Sequence, residues 1–250
     1  MTAKKDDLQN MTKNKGGQGL HYSRKPFIMA LMHASELLSE HKEDVNKLNV
    51  FPVPDGDTGT NMSLTLESVI EHVKKLGDNP SLADIRRAVT TGALMGARGN
   101  SGVITSQILR GLCEGYEKHE LFDTQGLAIA FSRAEEVAFA AVRKPVEGTI
   151  LTVLHDSAKA ARYAQRKKMN IADAISYVSQ KAHESVENTP NLLPVLKENN
   201  VVDAGGYGLA ILIEGIASGL TGHDGAISEE LKSAPTDQPQ PKVEIEQIND

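Results

Sequence analysis

Apolar residues recur at helical spacing through most of the chain between residues 22 and 224. Phe27, Leu31, Ala34 and Leu38 fall on one face of a first helix. The same three-to-four-residue spacing returns in seven further stretches, at 66–76, 82–93, 104–116, 127–141, 150–161, 171–182 and 209–220. No stretch shows the strict alternation typical of a strand, and no short solenoid repeat is present. The pattern therefore predicts an all-α protein, a closed barrel or bundle of about eight antiparallel amphipathic helices.

Local signals mark where these helices begin and end. Gly77 and Pro80 close the second helix, and Ser81 has the character of an N-cap for the third. Pro145 stops a later helix, and Pro190 is predicted to open a short one near 190–198. Many inward positions are alanine or glycine, Gly92 and Gly96 among them, so the helices are expected to pack closely.

The two ends of the chain differ in composition from the middle. Residues 1–21 are polar and lysine-rich, and residues 225–250 are acidic and contain three prolines. Neither segment has enough apolar residues to join a core, so both are predicted to be disordered tails, the second also serving as a linker. The residues between the two tails, 22–224, are predicted to form a single helical domain.

The composition argues against several classes of protein. The chain is 40% hydrophobic and 24% charged, and its sequence has no apolar run of membrane-spanning length. It has one cysteine, Cys113, which is predicted to be a small core residue, and no N-terminal apolar segment; these features favour a cytoplasmic protein. A net charge of −6 and only 4% aromatic residues argue against nucleic-acid binding.

Three irregular segments interrupt the helical pattern, at residues 49–61, 96–102 and 202–208. Each is rich in glycine, and each directly precedes a helix. In a bundle, such loops are able to gather at one end, and we expect them to form the functional site there. A fourth and weaker candidate is the segment 145–149, in which Thr149 either caps its helix or reaches a nucleotide.

The first loop has the composition of a cation site. Pro52 and Pro54 stiffen the approach, and Asp55 and Asp57 follow on either side of Gly56. Alternate residues of an extended segment point to the same side, so the two carboxylates would face one point, which is unfavourable unless a cation joins them. Mg²⁺ suits such a pair. The alternative is a turn in which Asp and Gly serve only backbone geometry. The residues that follow supply amide, hydroxyl and backbone groups, with Thr60 also a candidate helix cap: Thr58, Gly59, Thr60 and Asn61.

The other two loops have the composition of phosphate and nucleotide contacts. A glycine turn opens a helix at Gly99, Asn100, Ser101 and Gly102, and it predicts either phosphate binding or plain capping. Arg98, beside that turn, is either an ordinary surface residue or a group that stabilises transferring phosphate. In the third loop, Asp203 with Gly205 predicts either an N-cap or a ribose contact. His155 is expected to be a satisfied helix residue rather than a catalytic one.

These loops, in this order on a helical chain, resemble the nucleotide-binding domain of the dihydroxyacetone kinase superfamily. The run from Leu48 to Met62 is most similar to the bacterial fatty acid kinase branch, and the resemblance spans roughly residues 22–222. It implies a helical barrel that binds ATP or ADP, with two Mg²⁺ ions held by Asp55 and Asp57. It also places Asn49 at the position of a third metal ligand and Thr149 at that of a nucleotide-contacting threonine.

The resemblance also implies an activity and partners. It implies phosphorylation of a fatty-acid carboxylate that a fatty-acid-binding acceptor protein or downstream domains present, with Asp55, Asp57 and Arg98 as catalytic residues. No stretch outside the loops has the character of a long apolar groove for an acyl chain. Two alternatives stay open: a kinase subunit of the dihydroxyacetone type with another acceptor, and a non-catalytic adenine-nucleotide sensor. The sequence leaves the oligomeric state open, a dimer included.

Overall fold

The computed structural model describes residues 24–78, 80–119 and 123–221. The predicted basic and acidic tails, at 1–21 and 225–250, lie outside these described residues. Within them the chain forms α-helices and no strand, which confirms the all-α prediction. The helices are α1 (Arg24–Glu40), α2 (Lys42–Lys47), α3 (Thr58–Lys74), α4 (Leu82–Gly96), α5 (Gly99–Glu117), α6 (Thr124–Ala141), α7 (Ile150–Arg166), α8 (Ile171–Leu192), α9 (Pro194–Glu198) and α10 (Ala204–Thr221).

The eight long helices close into a ring. Each packs on the next in the order α1, α3, α4, α5, α6, α7, α8, α10, and α10 returns to α1. Neighbours run antiparallel: on the α10–α1 seam Gly215 lies against Ala34 and Gly219 against Ala30. The ring is therefore a barrel in which α3, α5, α7 and α10 all begin at the same end.

Glycine allows the helices of this ring to approach backbone to backbone. A Cβ atom built on Gly215 would lie 2.5 Å from the Cα atom of Ala34, and one on Gly111 would lie 2.5 Å from that of Ala134. Gly92 stands in the same relation to Val69 across the α3–α4 seam, at 2.7 Å. These separations leave no room for a side chain, so the seams explain why small residues occupy the inward positions.

Most predicted helix boundaries agree with the structure. Ser81 caps α4 through a reciprocal pair of hydrogen bonds with Asp84, as its position predicts. The prediction that Pro190 opens a short helix is wrong, because Pro190 lies inside α8 and Pro194 opens α9. A proline in α8 leaves the Val186 carbonyl without its usual N–H donor, and the hydroxyl of Thr189 donates to that carbonyl at 2.7 Å instead.

The helix α2 is not predicted by apolar periodicity. It has only six residues, and Val45 is its single buried one. It packs on the start of α3 because residue 59 is glycine: a Cβ atom there would lie 2.1 Å from the Lys42 carbonyl oxygen. This close packing fixes the segment that leads into the first loop.

The barrel encloses an apolar cavity of about 140 Å³. Its walls come from the half of the barrel away from the starts of α3, α5, α7 and α10, and they include Phe131, Leu212 and Ile213. Cys113 also lines it; burial raises the pKa of its thiol to about 11, as fits a core residue. The sequence pattern does not predict this cavity.

The last helix is both the most apolar and among the most buried. Of the helices in the described segments, α10 alone is long and apolar enough to cross a membrane, with a mean hydropathy of 1.2 over 18 residues. Yet 78% of that stretch is buried inside the barrel. Its contacts with α1, α7 and α8 explain this burial.

Candidate functional site

The three glycine-rich loops meet at one end of the barrel. A Cβ atom on Gly99 would lie 2.4 Å from the Asn61 side-chain nitrogen, which joins the second loop to the start of α3. A Cβ atom on Gly208 would lie 2.6 Å from the sulfur of Met62, which joins the start of α10 to the same helix. One on Gly205 would lie 3.2 Å from Cβ of Ile150, at the start of α7. The structure thus brings the first three loops and the weaker fourth segment together, and we call this face the loop end.

Four helix N-termini therefore lie together at the loop end. Each helix start has backbone N–H groups without helical partners and carries a partial positive charge. Glycines at the starts of α5 and α10 keep side chains away from these N–H groups. The loop end has the chemistry to hold an anion of high charge, such as a polyphosphate.

The first loop is tied to the barrel by two asparagines. Asn46, in α2, donates from its side chain to the Thr60 hydroxyl at 3.0 Å, and its amide oxygen accepts from the Thr60 backbone N–H at 3.1 Å. Asn49 is buried and donates to Oδ1 of Asp55 at 2.6 Å. Thr60 does not cap α3, contrary to prediction: the N-cap position belongs to Asp57, and the Thr60 hydroxyl is bound by Asn46. Nothing in the sequence marks Asn46 as a site residue.

The residues of this loop fit a magnesium ion. Asp55 is exposed, Asp57 is half-buried at the start of α3, and Gly56 between them has a φ of +66°, which glycine adopts without strain. Within the described segments, no three His, Cys, Asp or Glu side chains form a ready-made metal cage. Mg²⁺ needs no such cage, since it is commonly held by one or two carboxylates together with phosphate oxygens and water.

The second loop lies directly beside the first. Gly99 has a φ of +57°, and Gly102 packs so closely on α3 that a Cβ atom would lie 2.8 Å from the Thr65 hydroxyl. Asn100 is exposed and Ser101 half-buried, so both are accessible at the start of α5. The exposed guanidinium of Arg98 turns back to the end of α4, where it donates to the carbonyls of Met95 and Ala97 at 3.3 and 2.9 Å.

Asp203 occupies the third loop as a buried N-cap. Its Oδ2 accepts from the Gly206 backbone N–H at 2.7 Å, and its own N–H donates to the Thr189 hydroxyl at 3.0 Å. The cap interpretation of Asp203 is therefore confirmed. Burial raises the pKa of this carboxyl to about 6, although the backbone N–H groups of Gly206 and Ile150 act in the opposite direction. Thr189 is a supporting residue that the sequence does not reveal.

This raised pKa predicts a pH-dependent stability. Because the folded state binds the proton more tightly than the unfolded chain, the contribution of Asp203 to the free energy of unfolding should be most favourable below pH 4. It should be lost as the pH rises toward 6, by at most about 3 kcal/mol. Denaturant unfolding of the wild type and of Asp203→Asn between pH 4 and 7 measures it. The difference in stability between the two proteins should change across this range in favour of Asp203→Asn, and a constant difference would contradict the prediction.

Thr149 stands at the N-cap position of α7 without capping it. Its hydroxyl donates to the Val146 carbonyl at 2.7 Å, and its side chain is half-buried. Gly148, with a φ of +77°, donates its N–H to the Thr152 hydroxyl at 2.9 Å. The segment thus has a defined shape and places Thr149 next to the Asp203 loop. His155, further along α7, pairs with Glu135, as expected for a satisfied residue.

The chain is similar to one domain family and to several bacterial proteins. The DAK2 domain family matches residues 52–218, which include the three loops apart from the first residues of loop one. Uncharacterized proteins of Staphylococcus haemolyticus and Staphylococcus epidermidis are each 46% identical, over 198 and 199 residues. In both cases the match covers 79% of this chain and 36% of the relative. The chain therefore spans about a third of the length of the curated relatives it matches.

The fold also occurs in a solved structure. The dihydroxyacetone kinase from C. freundii, in complex with AMP-PNP and Mg²⁺, superposes with a TM-score of 0.58 and 17% identity. The match covers 83% of this chain and 36% of that one. At this identity the likeness concerns the fold, which agrees with the resemblance that the three loops indicate. With two thirds of its length matched, residues 52–218, the chain belongs to the DAK2 domain family.

Proposed function

We propose that this chain is a Mg·ATP-binding phosphotransferase domain that phosphorylates a fatty-acid carboxylate presented by a partner protein. The observation that supports the proposal best is that four helix N-termini lie at the same end of the barrel as the carboxylates of Asp55 and Asp57. One part of this arrangement suits the phosphate chain of a nucleotide, and the other suits the cation that accompanies it.

Each site residue has a role in this proposal. Asp55 and Asp57, with Asn49, would hold two Mg²⁺ ions, which supply neutralisation of phosphate charge when bound. The remaining groups line the nucleotide site. On the phosphate side these are Thr58, Gly59, Thr60, Asn61, Gly99, Asn100, Ser101 and Gly102, and on the nucleoside side Thr149, Asp203 and Gly205. Because Asp203 is already bound to its own helix start, its part is to hold that loop in shape.

Arg98 is the candidate for stabilising the transferring phosphoryl group. Its guanidinium is exposed and now donates to two neutral carbonyls, at Met95 and Ala97. Hydrogen bonds to a charged phosphate are stronger than those to neutral acceptors, so a bound nucleotide favours a turn of the side chain toward the loop end.

The reaction itself is a simple displacement. A carboxylate oxygen of the acceptor forms a bond to the γ-phosphorus of ATP while the bond from that phosphorus to the β,γ-bridging oxygen breaks, which yields an acyl phosphate and ADP. Little covalent chemistry is required of the protein, so its contribution is positioning and charge stabilisation. The proposal places this reaction in the cytoplasm.

The acceptor is expected to arrive on another protein or domain. The apolar cavity inside the barrel lies in the half away from the loops, so an acyl chain in it would not bring its carboxylate to the nucleotide. The likeness to dihydroxyacetone kinase favours a second candidate, a kinase of the same fold whose acceptor is a small hydroxy ketone on a partner.

Acyl phosphate formation tests the proposal. The chain is incubated with ATP, Mg²⁺ and oleate, either free or loaded on a fatty-acid-binding protein, and acyl phosphate is trapped with hydroxylamine. With free oleate we expect only slow ATP hydrolysis. With oleate on the loaded protein, phosphate transfer should be faster than transfer to free oleate by several powers of ten, because positioning has effects of that size. Robust turnover with free oleate would contradict the partner requirement. Nucleotide binding without transfer to oleate or dihydroxyacetone would indicate a sensor.

A further inference from the structure

Large apolar side chains are exposed mainly at the loop end. Leu94 and Met95, in the last turn of α4, are 65% and 64% exposed. Leu64 on α3 and Val103 on α5 are also exposed, and the Leu64 backbone lies next to Gly96, at the end of α4. These four residues lie on three helices in mutual contact, α3, α4 and α5, and we treat them as one apolar group beside Arg98.

A second group lies across the loop end. Val146 precedes α7 and Leu192 ends α8, and both are exposed. The two segments touch, because a Cβ atom on Gly148 would lie 2.8 Å from Cβ of Leu193. We call the six residues of the two groups, Leu64, Leu94, Met95, Val103, Val146 and Leu192, the apolar rim.

The apolar rim lies around the proposed phosphate site. Exposed apolar residues scattered singly need no explanation, but a concentration around one site marks an interaction surface. The rim flanks the starts of α5 and α7, where the proposed function places the phosphates. A protein that covers the rim would also exclude water from the transferring group, which strengthens every electrostatic contact there.

On the basis of the proposed function, we infer that the apolar rim is the docking surface for the folded protein that carries the acceptor. A second copy of this chain fits less well, since two loop ends facing each other would block both nucleotide sites. The matched relatives, of which this chain spans 36%, show that this domain occurs beside a much larger amount of other polypeptide. The partner face is expected to be apolar around the acceptor, with Arg98 of this chain at its edge.

The chain offers a closely matched pair of variants. Leu94→Gln/Met95→Gln removes the most exposed part of the rim. Met29→Gln/Leu82→Gln makes the same chemical changes at the opposite end of the barrel, where Met29 is 54% and Leu82 41% exposed. Leu82 and Met95 lie at the two ends of the same helix, so general effects on α4 are controlled. Circular dichroism verifies that both variants are folded.

The test measures binding and catalysis separately. An oleate-loaded fatty-acid-binding protein is titrated against each immobilised variant, and ADP affinity in Mg²⁺ is measured by calorimetry. We expect the rim variant to bind the loaded protein at least about tenfold more weakly, equivalent to 1.4 kcal/mol, with ADP affinity unchanged. The opposite-end variant should match the wild type in both. In the acyl phosphate assay the rim variant should raise KM for the loaded protein and leave kcat within about twofold.

The outcomes separate the inference from the proposed function. Equal binding by the two variants would overturn the inference even if acyl phosphate forms. Absence of binding to the wild type would also overturn it, and sedimentation would then show whether the rim joins two copies of this chain instead. Failure of the wild type to bind ADP would overturn the proposed function, independently of what the rim variant does to partner binding.

Discussion

Replacing Asp55 or Asp57 by alanine is expected to abolish Mg²⁺-dependent binding of ADP while the barrel stays folded. The two carboxylates are the charged oxygen donors of the first loop, and neither contributes to the apolar core. Without one of them the cation loses a charged ligand, and the phosphates of ADP then meet the remaining carboxylate without full neutralisation. We expect a loss of at least about a hundredfold in affinity, roughly 2.7 kcal/mol.

Calorimetry with ADP at fixed Mg²⁺ measures this loss. Asp78→Ala is the matched control, since Asp78 is an exposed acid in the turn after α3, at the opposite end of the barrel. It should bind ADP as the wild type does. Unchanged affinity in Asp55→Ala and Asp57→Ala would show that the first loop serves only as a structural turn.

Replacing Gly215 by alanine should produce a large loss of stability from a single methyl group. Alanine is normally the better helix former, by about 0.8–1.0 kcal/mol. At Gly215, however, the new carbon would lie 2.5 Å from the backbone of Ala34, and neither helix can yield without opening the α10–α1 seam. Overpacking costs of this kind reach about 3 kcal/mol, so the packing penalty outweighs the gain in helix propensity.

Thermal and denaturant unfolding test this prediction. A net loss of about 2 kcal/mol should lower the Tm by roughly 4–8 °C for a domain of this size. Gly77→Ala is the control, because nothing lies within 4 Å of a Cβ atom built there. If Gly215→Ala were as stable as Gly77→Ala, the ring would not be closed as tightly as the glycine contacts indicate.

Signals that are local in sequence predict this fold well. The capping pair of Ser81 and Asp84 acts within one helical turn, and it is visible in four consecutive residues. The glycine turn at Gly99 and the paired carboxylates of the first loop are likewise contiguous, so their chemistry can be inferred before their position is known. The interpretation of Pro190 fails because the compensating hydroxyl of Thr189 depends on a packed helix.

The features that sequence does not predict depend on contacts between distant segments. Asn46 is an ordinary polar residue in the sequence, and only the packing of α2 on α3 brings its amide to Thr60. The raised pKa of Asp203 results from burial among three helices, and a single Asp beside two glycines does not reveal it. The apolar rim also requires the structure, since Leu64, Leu94 and Val103 look like core residues until their exposure is known.

The antiparallel seam between α1 and α10 places the outer ends of the two helices, Arg24 and Thr221, at the same end of the barrel, away from the loops. A short peptide joining these two positions would therefore allow circular permutation, with new ends opened in the turn between α3 and α4, also away from the loops. Such a permutant would keep all eight ring helices and leave the loop end unchanged. Because both positions lie at the end away from the loops, a second domain joined at either one would be attached on the side opposite the loop end.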